Sequence, residues 1–199
     1  MSTNPMLRLT PEQYLALERK AETKSEFYQG EMFAMSGASR WHNLIAGNVL
    51  AELHPQLKNR PCTVYPGDMR VKVSPAGLYT YPDVTVVCGE AQFEDQHFDT
   101  LLNPTLIVEV LSKTTAAYDQ GQKFEQYRKL AALKEYLLIA QDKYHLMRYS
   151  RQPDNQWLLL ETYSEADTVT LSSIECRLAL ADVYAKVHFP EKEVYETTF

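Results

Sequence analysis

Two carboxylates stand inside otherwise apolar stretches that have the composition of β-strands. Glu109 interrupts the run 106–111 (LIVEVL), and Asp83 follows Pro82 just before the run 84–87 (VTVV). An ionised carboxylate in such a strand costs several kcal/mol unless a cation or hydrogen bonds compensate it. If the two strands are neighbours, both acids can point to one face of the sheet and bind a hard divalent cation, for which magnesium is suited.

A lysine in the next segment could join these acids. Asp119, Lys123 and Tyr127 are spaced i, i+4 and i+8, so they share one face if the segment is a helix. Phe124 and Leu130 border that face and are expected to pack on the sheet, which turns Lys123 toward it. A lysine beside a metal can orient an attacking water or offset phosphate charge.

The same residues also allow a structural interpretation. Asp83 could accept hydrogen bonds from backbone amides at a strand start, and Glu109 could form an ion pair with Lys113 or Lys123. Acids paired in this way also occur away from active sites. The spacing alone therefore leaves both interpretations open.

The elements that must position these residues alternate between strands and helices. Helices are predicted at 11–20, where Thr10 and Gln13 form a capping box, and at 39–57, 116–133 and 180–186. Apolar or alternating runs between turn residues predict strands. These strands are a hairpin at 26–35, then 62–73 and 79–88 joined by a turn at 74–77, then 106–111, 136–140, 144–150, 156–163, 168–171 and 174–178.

This order predicts an α/β fold with a mixed sheet. The strand, helix and strand over 106–140 suggest a crossover between neighbouring strands, and the residues after 142 add an antiparallel, strand-rich part. We expect one domain over 1–199, with a loose leader at 1–9 and a polar tail at 187–199.

Composition excludes several classes of protein. The net charge of −6 argues against nucleic-acid binding by bulk charge, although a locally basic cleft remains compatible with it. No apolar run is long enough for a membrane helix, and no phosphate-binding glycine loop, GxSxG or HExxH motif occurs. Cys62, Cys88 and Cys176 are odd in number and far apart, so we expect reduced structural thiols and a cytoplasmic protein.

At this point the residues resemble a known family. The segments that carry the resemblance are Pro82-Asp83, 109–112 (EVLS), Lys123, Tyr127 and Glu135-Tyr136, with 26–31 (EFYQGE) and the helix opening at His42 upstream. They are similar to the PD-(D/E)XK nuclease superfamily, and more narrowly to its Uma-two branch of restriction-endonuclease-like domains. The resemblance covers roughly residues 10–185, although each motif alone is short.

The resemblance implies a restriction-endonuclease-like core sheet flanked by helices, a metal bound by Asp83 and Glu109, and hydrolysis of a nucleic-acid phosphodiester. In the superfamily the lysine usually stands two residues after the acid, and Leu111 occupies that position here. Lys123 matches the site to which the lysine has moved in the Uma-two branch. Lys113 is a rival on the same strand face, but 112–115 (SKTT) has the composition of a strand end.

His42 and Glu26 match family positions of less settled role. His42 lies in the first turn of its predicted helix, so it could reach the cleft as a proton carrier or phosphate contact, or be a half-buried structural histidine. Glu26 in its hairpin could be an additional acid of the metal site or a structural cap.

The leading hypothesis is a magnesium-dependent endonuclease, with manganese as a substitute, acting on nucleic acid and more specifically on DNA. Between 113 and 134, five basic residues against two acidic ones give local support for phosphate binding. The alternative is a non-catalytic module for nucleic-acid or protein interaction on the same scaffold. The strand-rich segment 144–178 could pair two subunits in a homodimer.

Overall fold

The N-terminal elements follow local capping and turn signals. The computed structural model describes residues 8–73 and 77–189. Helix α1 (Pro11–Glu18) begins with the predicted capping box, in which the Thr10 side chain accepts from the Gln13 N–H and Gln13 accepts from the Thr10 N–H. Strands β1 (Ser25–Tyr28) and β2 (Glu31–Ala34) form the predicted hairpin, whose turn has positive φ at Gln29 and Gly30.

Helix α2 (Arg40–Leu57) packs against one face of the main sheet. It begins at Ser39, whose hydroxyl accepts a hydrogen bond from the backbone N–H of His42 at 3.1 Å. Every fourth residue from Ile45 to Leu57 is buried, as the apolar pattern predicts. The first turn of α2, which carries His42, is thereby fixed next to the sheet.

Six strands form the main sheet, in the order β11-β10-β9-β8-β6-β3. Their bounds are β3 (Cys62–Pro66), β6 (Val84–Cys88), β8 (Leu106–Leu111), β9 (Glu135–Ala140), β10 (Leu146–Arg151) and β11 (Trp157–Thr162). The β8 and β9 strands are parallel, as predicted for the crossover, and the other pairs are antiparallel. All six residues of β8 are buried because the strand is central and both of its faces are covered.

Two smaller sheets complete the fold. The first has the order β2-β1-β5-β4-β7, with β4 (Arg70–Val73), β5 (Leu78–Thr80) and β7 (Thr100–Leu101). The second pairs β12 (Thr168–Leu171) with β13 (Cys176–Ala179). The predicted strands 62–73 and 79–88 are thus each divided between two sheets, and residues 74–76 of the predicted turn lie outside the described residues.

The predicted helix 116–133 is shorter and less regular than expected. It consists of α3 (Ala116–Tyr118), a π-helical turn (Asp119–Lys123) and α4 (Phe124–Tyr127). The Arg151 guanidinium donates hydrogen bonds to the carbonyls of Arg128, Leu130 and Leu133. These carbonyls are satisfied by a side chain, so the chain can leave the helix at this point.

The cysteines differ from the prediction of reduced thiols. Cys62 and Cys88 are register partners on β3 and β6, with Cα atoms 4.0 Å apart, and a disulfide joins them. Their separation of 26 residues gives no local sign of this pairing. The prediction was therefore wrong for this pair, while Cys176 is a buried free thiol.

Both ends of the described chain contact other elements of the fold. The Leu9 N–H donates to the Gly30 carbonyl at 2.9 Å. After helix α5 (Leu180–Val183), Phe189 packs on Tyr144 and Tyr184. No helix among residues 8–73 and 77–189 combines the length and apolar character needed to cross a membrane.

The predicted fold class is confirmed: a mixed sheet lies between helices. Leu106, Val108 and Val110 of β8 pack with α2 on one face. Ile107 and Leu111 pack with Tyr127 of α4 on the other. Glu109 belongs to this second face by strand alternation, so its carboxylate lies under the irregular helical segment.

Candidate active site

Asp83 lies beside the strand that carries Glu109. The antiparallel ladder of β6 and β8 ends at the pair Val84 and Val108, and Asp83 immediately precedes β6. The charge of Asp83 is close enough to contribute to the raised pKa of Glu109. Asp83 Oδ2 accepts a hydrogen bond from the Val110 N–H at 2.7 Å, which fixes the carboxylate at the end of β8.

His42 contacts the first of these acids. Its Nε2 lies 2.8 Å from Asp83 Oδ1, and both side chains are about four-fifths buried or more. The Ser39 cap fixes the start of α2, and therefore fixes the position from which the imidazole reaches the sheet. The structure thus places His42 beside the proposed metal ligand.

Glu109 is held from the opposite direction by a lysine and a tyrosine. Its Oε1 lies 2.9 Å from Lys123 Nζ and accepts a hydrogen bond from the Tyr127 hydroxyl at 2.8 Å. The glutamate and the lysine are each only 5% exposed. In the described part of the chain, no group donates a hydrogen bond to the second oxygen, Oε2.

Lys123 is shared by three carboxylates. Besides Glu109, its Nζ lies 3.1 Å from Glu26 Oε1 and 3.5 Å from Asp119 Oδ1. Glu26 reaches the site from β1 and also accepts a hydrogen bond from the Thr80 hydroxyl of β5. The ammonium therefore connects β1, β8 and the π-helical turn.

This crowding of like charges perturbs the ionisation of the site. Burial, with the nearby charges of Asp83 and Asp119, raises the pKa of Glu109 to about 8, although Lys123 opposes the shift. Burial also raises the pKa of Asp119. Burial disfavours the charged lysine, but the carboxylates outweigh it and hold the pKa of Lys123 well above its usual value. One cation faces several acids, so the ammonium stays charged while Glu109 readily takes up a proton.

The π-helical turn positions the lysine. It spans Asp119–Lys123, and the side chains at both of its ends are buried. The Tyr136 hydroxyl donates a hydrogen bond to the Asp119 carbonyl at 3.1 Å, which ties the turn to β9. Single π-helical turns are rare and occur frequently at functional sites.

The structure brings most of the residues singled out in the sequence together. Glu109, Lys123 and Glu26 form one cluster, and His42 and Asp83 form a second one that contacts β8 through the Val110 N–H. The contacts of the structural interpretation, an amide to the aspartate and an ion pair at the glutamate, are therefore both present.

Lys113 lies elsewhere. The β8 strand ends at Leu111, and Lys113 is exposed beyond it. Asp119 and Tyr127 share the face of Lys123, as their spacing predicts, and both contact the site. The contact of Thr80 with Glu26 depends on tertiary packing and has no local signal in the sequence.

The donor set fits a divalent cation that is held by few protein ligands. Asp83 and Glu109 supply carboxylate oxygens, which hard cations prefer, and waters and a phosphate can complete the coordination. Residues 8–73 and 77–189 contain no group of three or more His, Cys, Asp or Glu placed to hold a metal.

Comparison with known proteins assigns the chain to a family. The family model described as "Uma2: Putative restriction endonuclease" matches residues 11–181, which include every residue of the site. The chain belongs to the Uma2 family. This confirms the restriction-endonuclease-like superfamily that the motifs resemble. Restriction-endonuclease-like nucleases generally use divalent metals.

Two relatives from Synechocystis sp. (strain ATCC 27184 / PCC 6803 / Kazusa) match over most of their length. "Uncharacterized protein sll1609" is 40% identical over 164 residues, covering 82% of this chain and 93% of the relative. "Uncharacterized protein slr1290" is 32% identical over 185 residues, covering 93% and 96% respectively.

A solved structure shares the Uma2 fold. It is the crystal structure of "a putative nuclease belonging to DUF820" from Anabaena variabilis ATCC 29413, with a TM-score of 0.71 and 17% sequence identity. The match covers 88% of this chain and 97% of that one. At this identity the likeness establishes the fold.

Proposed function

We propose that the protein is a magnesium-dependent endonuclease that hydrolyses phosphodiester bonds of DNA, with manganese as a substitute ion. The observation that carries the proposal is the buried Glu109 with Lys123 Nζ at 2.9 Å, while the Val110 N–H of the same strand holds Asp83 at 2.7 Å. A divalent cation bound by the two carboxylates would polarise the phosphate and make a bound water more acidic. Membership of a nuclease family supports this reaction class.

Lys123 has the position and charge to assist the attack. Its ammonium is kept charged by the surrounding acids and is fixed by the π-helical turn. A fixed cation beside the scissile phosphate stabilises the charge that develops in the transition state and can hold the attacking water. Glu26 and Asp119 act through the lysine as positioning residues.

His42 is proposed to hold Asp83 in place. The 2.8 Å contact from Nε2 and the amide of Val110 together restrain both oxygens of the aspartate. A restrained carboxylate is already ordered for binding a cation and a phosphate. Lys113, exposed beyond β8, is left outside this machinery.

Plasmid nicking tests the proposed site. We expect wild type to nick plasmid DNA with magnesium or manganese, and Asp83→Asn, Glu109→Gln and Lys123→Met each to lose at least about 100-fold in rate. Lys113→Met is the matched control and should retain wild-type activity. Equal cleavage by wild type and the three site variants would discard the site.

One observation favours a second candidate, a non-catalytic interaction module. Lys123 already has three carboxylate partners within 3.5 Å, so its charge is satisfied without a substrate. Magnesium-dependent thermal stabilisation separates the two candidates. A catalytic centre should raise Tm with magnesium in wild type and not in Glu109→Gln, whereas an interaction module should show no magnesium effect in either protein.

We further propose that the protein acts as a homodimer. Strand β11 lies at one end of the main sheet, and Leu158, Leu159 and Leu160 in its centre are all substantially exposed. Exposed apolar edge strands are rare in monomers because they pair with other chains. A second copy is the fitting partner, since the same strand paired antiparallel about a two-fold axis satisfies the open backbone edges of both subunits.

A further inference from the structure

A polar pocket lies on the opposite face of the main sheet from the candidate active site. In the parallel pair, Glu109 is the partner of Leu138, and Glu135 stands three residues earlier on β9. Three residues correspond to about 10 Å along a strand, and an odd step reverses the face. The pocket around Glu135 has a volume of about 420 Å³ and is lined also by Lys134, Arg148, Ser150 and Ser173.

Three buried polar atoms of this pocket lack hydrogen-bond partners. They are Glu135 Oε1, Arg148 Nε and Ser150 Oγ, which are half of all such atoms found among residues 8–73 and 77–189. Glu135 is only 2% exposed, and Ser173 donates to its other oxygen from both the backbone N–H and the hydroxyl. Buried orphans of this kind are rare in folded proteins and indicate a missing water, ion or ligand.

The nearest side-chain charges form an ion pair but no hydrogen bond. Arg148 Nη1 lies 3.7 Å from Glu135 Oε1, which is too long for a hydrogen bond, and it donates instead to the Thr170 carbonyl. The Nε–H of the same guanidinium has no hydrogen-bond partner among the described residues, and Arg148 lines the pocket. A ligand that accepts from Arg148 Nε and donates to Glu135 Oε1 would satisfy both groups.

The balance of charge around the pocket favours an anion. Lys134, Arg148 and Arg151 line it against one carboxylate, Glu135. Arg151 donates its hydrogen bonds to backbone carbonyls, so it adds a fixed positive charge to the pocket but no hydrogen bond to a ligand. Within the described ranges Lys134 has no acidic partner, and it is exposed at the rim.

We propose that this pocket binds a hydrogen phosphate group, either free or as a monoester. Phosphate oxygens accept from Arg148 Nε and Lys134, and the phosphate O–H donates to Glu135 Oε1. Ser150 can donate or accept as the ligand requires. Sulfate has the same shape but carries no proton near neutral pH, so it would leave Glu135 unsatisfied and facing an anion.

Titration of the full chain with inorganic phosphate, without divalent cations, tests this assignment. We expect saturable binding by calorimetry or ³¹P line broadening, with sulfate weaker by about tenfold or more because one buried acceptor stays unpaired. Lys123→Met should bind phosphate as wild type does, which shows that the ion is not held at the candidate active site. Phenyl phosphate shows whether the natural ligand is free phosphate or a phosphate monoester. Tighter binding than inorganic phosphate identifies a monoester site, and weaker binding identifies a free-phosphate site.

Variants at the pocket complete the test. Lys134→Ala alters an exposed residue and should fold normally, yet weaken phosphate binding. Arg148→Lys keeps the charge but removes Nε and should weaken it further, whereas Glu135→Gln should abolish the preference for phosphate over sulfate. Absence of saturable binding in wild type, equal binding of sulfate, or a wild-type response in Lys134→Ala and Arg148→Lys would overturn the proposal.

Discussion

At the scale of single residues, the proposed chemistry depends on how one ammonium is surrounded. Lys123 Nζ lies 2.9 to 3.5 Å from the carboxylates of Glu109, Glu26 and Asp119, and water has little access to the group. Buried acids of this kind require their cation, because each uncompensated charge carries its full desolvation cost. The lysine therefore has a stability role in addition to its proposed catalytic one.

We predict that Lys123→Met lowers the free energy of unfolding by about 3 kcal/mol, since it leaves the buried Glu109 and Asp119 and the partly buried Glu26 without a cation. Glu109→Gln should cost less, because the lysine keeps two acidic partners and the amide oxygen can still accept from Tyr127. Urea unfolding of the variants measures both changes. A change below about 0.5 kcal/mol is expected for Lys113→Met, which is exposed, and a similarly small change for Lys123→Met would contradict the prediction.

Asp99 provides a prediction on pH. Hydrogen bonds from Arg19, with the charge of the buried Arg70, hold the pKa of Asp99 well below its usual range. A carboxyl with a lowered folded pKa contributes stability above its unfolded value of about 3.9, and this contribution is lost as the pH falls through the folded value. Asp99→Asn should therefore destabilise the protein by about 1 kcal/mol at neutral pH, because water partly screens the pair.

The difference between wild type and Asp99→Asn should begin to shrink as the pH falls below about 4, where the carboxyl of the unfolded chain takes up its proton, and should disappear as the pH falls through the lowered folded pKa. Thermal or urea unfolding across this pH range measures the convergence. Asp68→Asn is the control, since Asp68 pairs with Lys24 but its side chain is 89% exposed. A deficit of Asp99→Asn that is independent of pH would argue against the ion pair as its cause.

At the scale of secondary-structure elements, the disulfide fixes an edge of the main sheet. Cys62 begins β3, which is the end strand, and Cys88 ends β6, which precedes the central strand β8. Asp83 immediately precedes β6, so the cross-link acts on the strand pair that positions one of the proposed metal ligands.

We predict that reduction of this disulfide lowers the free energy of unfolding by about 3 kcal/mol, from the entropy of a loop of 26 residues in the unfolded chain. Comparison of Tm with and without a reductant tests this. The double variant Cys62→Ala and Cys88→Ala should match the reduced protein and be insensitive to reductant. A wild-type Tm that does not change on complete reduction would show that the cross-link contributes nothing.

Local signals predicted some elements well and others poorly. The capping box of α1 and the apolar periodicity of α2 lie within a few residues, and both helices form close to the predicted bounds. The π-helical turn was missed because hydrogen bonds from Tyr136 and Arg151, distant in sequence, decide how that helix winds and ends. Spacing placed Asp119 and Lys123 on one face, where they form an i, i+4 ion pair, but no local pattern could reveal that Thr80 of β5 would contact Glu26 at the site.

At the scale of the whole molecule, the main sheet separates two polar centres and ends in an apolar edge. Glu109 faces one side and Glu135 the other, while β11 presents its leucines at the end of the sheet. A dimer formed through β11 would extend the sheet across both subunits and leave both active-site faces available to a duplex. Two clefts in one particle suit cleavage of both strands of DNA.

We predict that Leu159→Lys weakens self-association, because a charge in the middle of an edge strand opposes pairing with a second copy. Size-exclusion chromatography with light scattering should show a dimer for wild type and a monomer for this variant. Leu17→Lys serves as the control, since Leu17 is comparably exposed on α1 and should leave the dimer intact. A wild-type monomer at high concentration would remove the proposal.

The sharing of Lys123 among distant segments has a consequence for how the protein is made. Its acidic partners come from positions 26, 109 and 119, so the site needs nearly two-thirds of the polypeptide to have left the ribosome before its cation arrives. A shorter nascent chain carries only mutually repelling acids. A nuclease assembled in this order would have no catalytic activity during most of its own synthesis. It would become active only when the second half of the chain has folded onto the first.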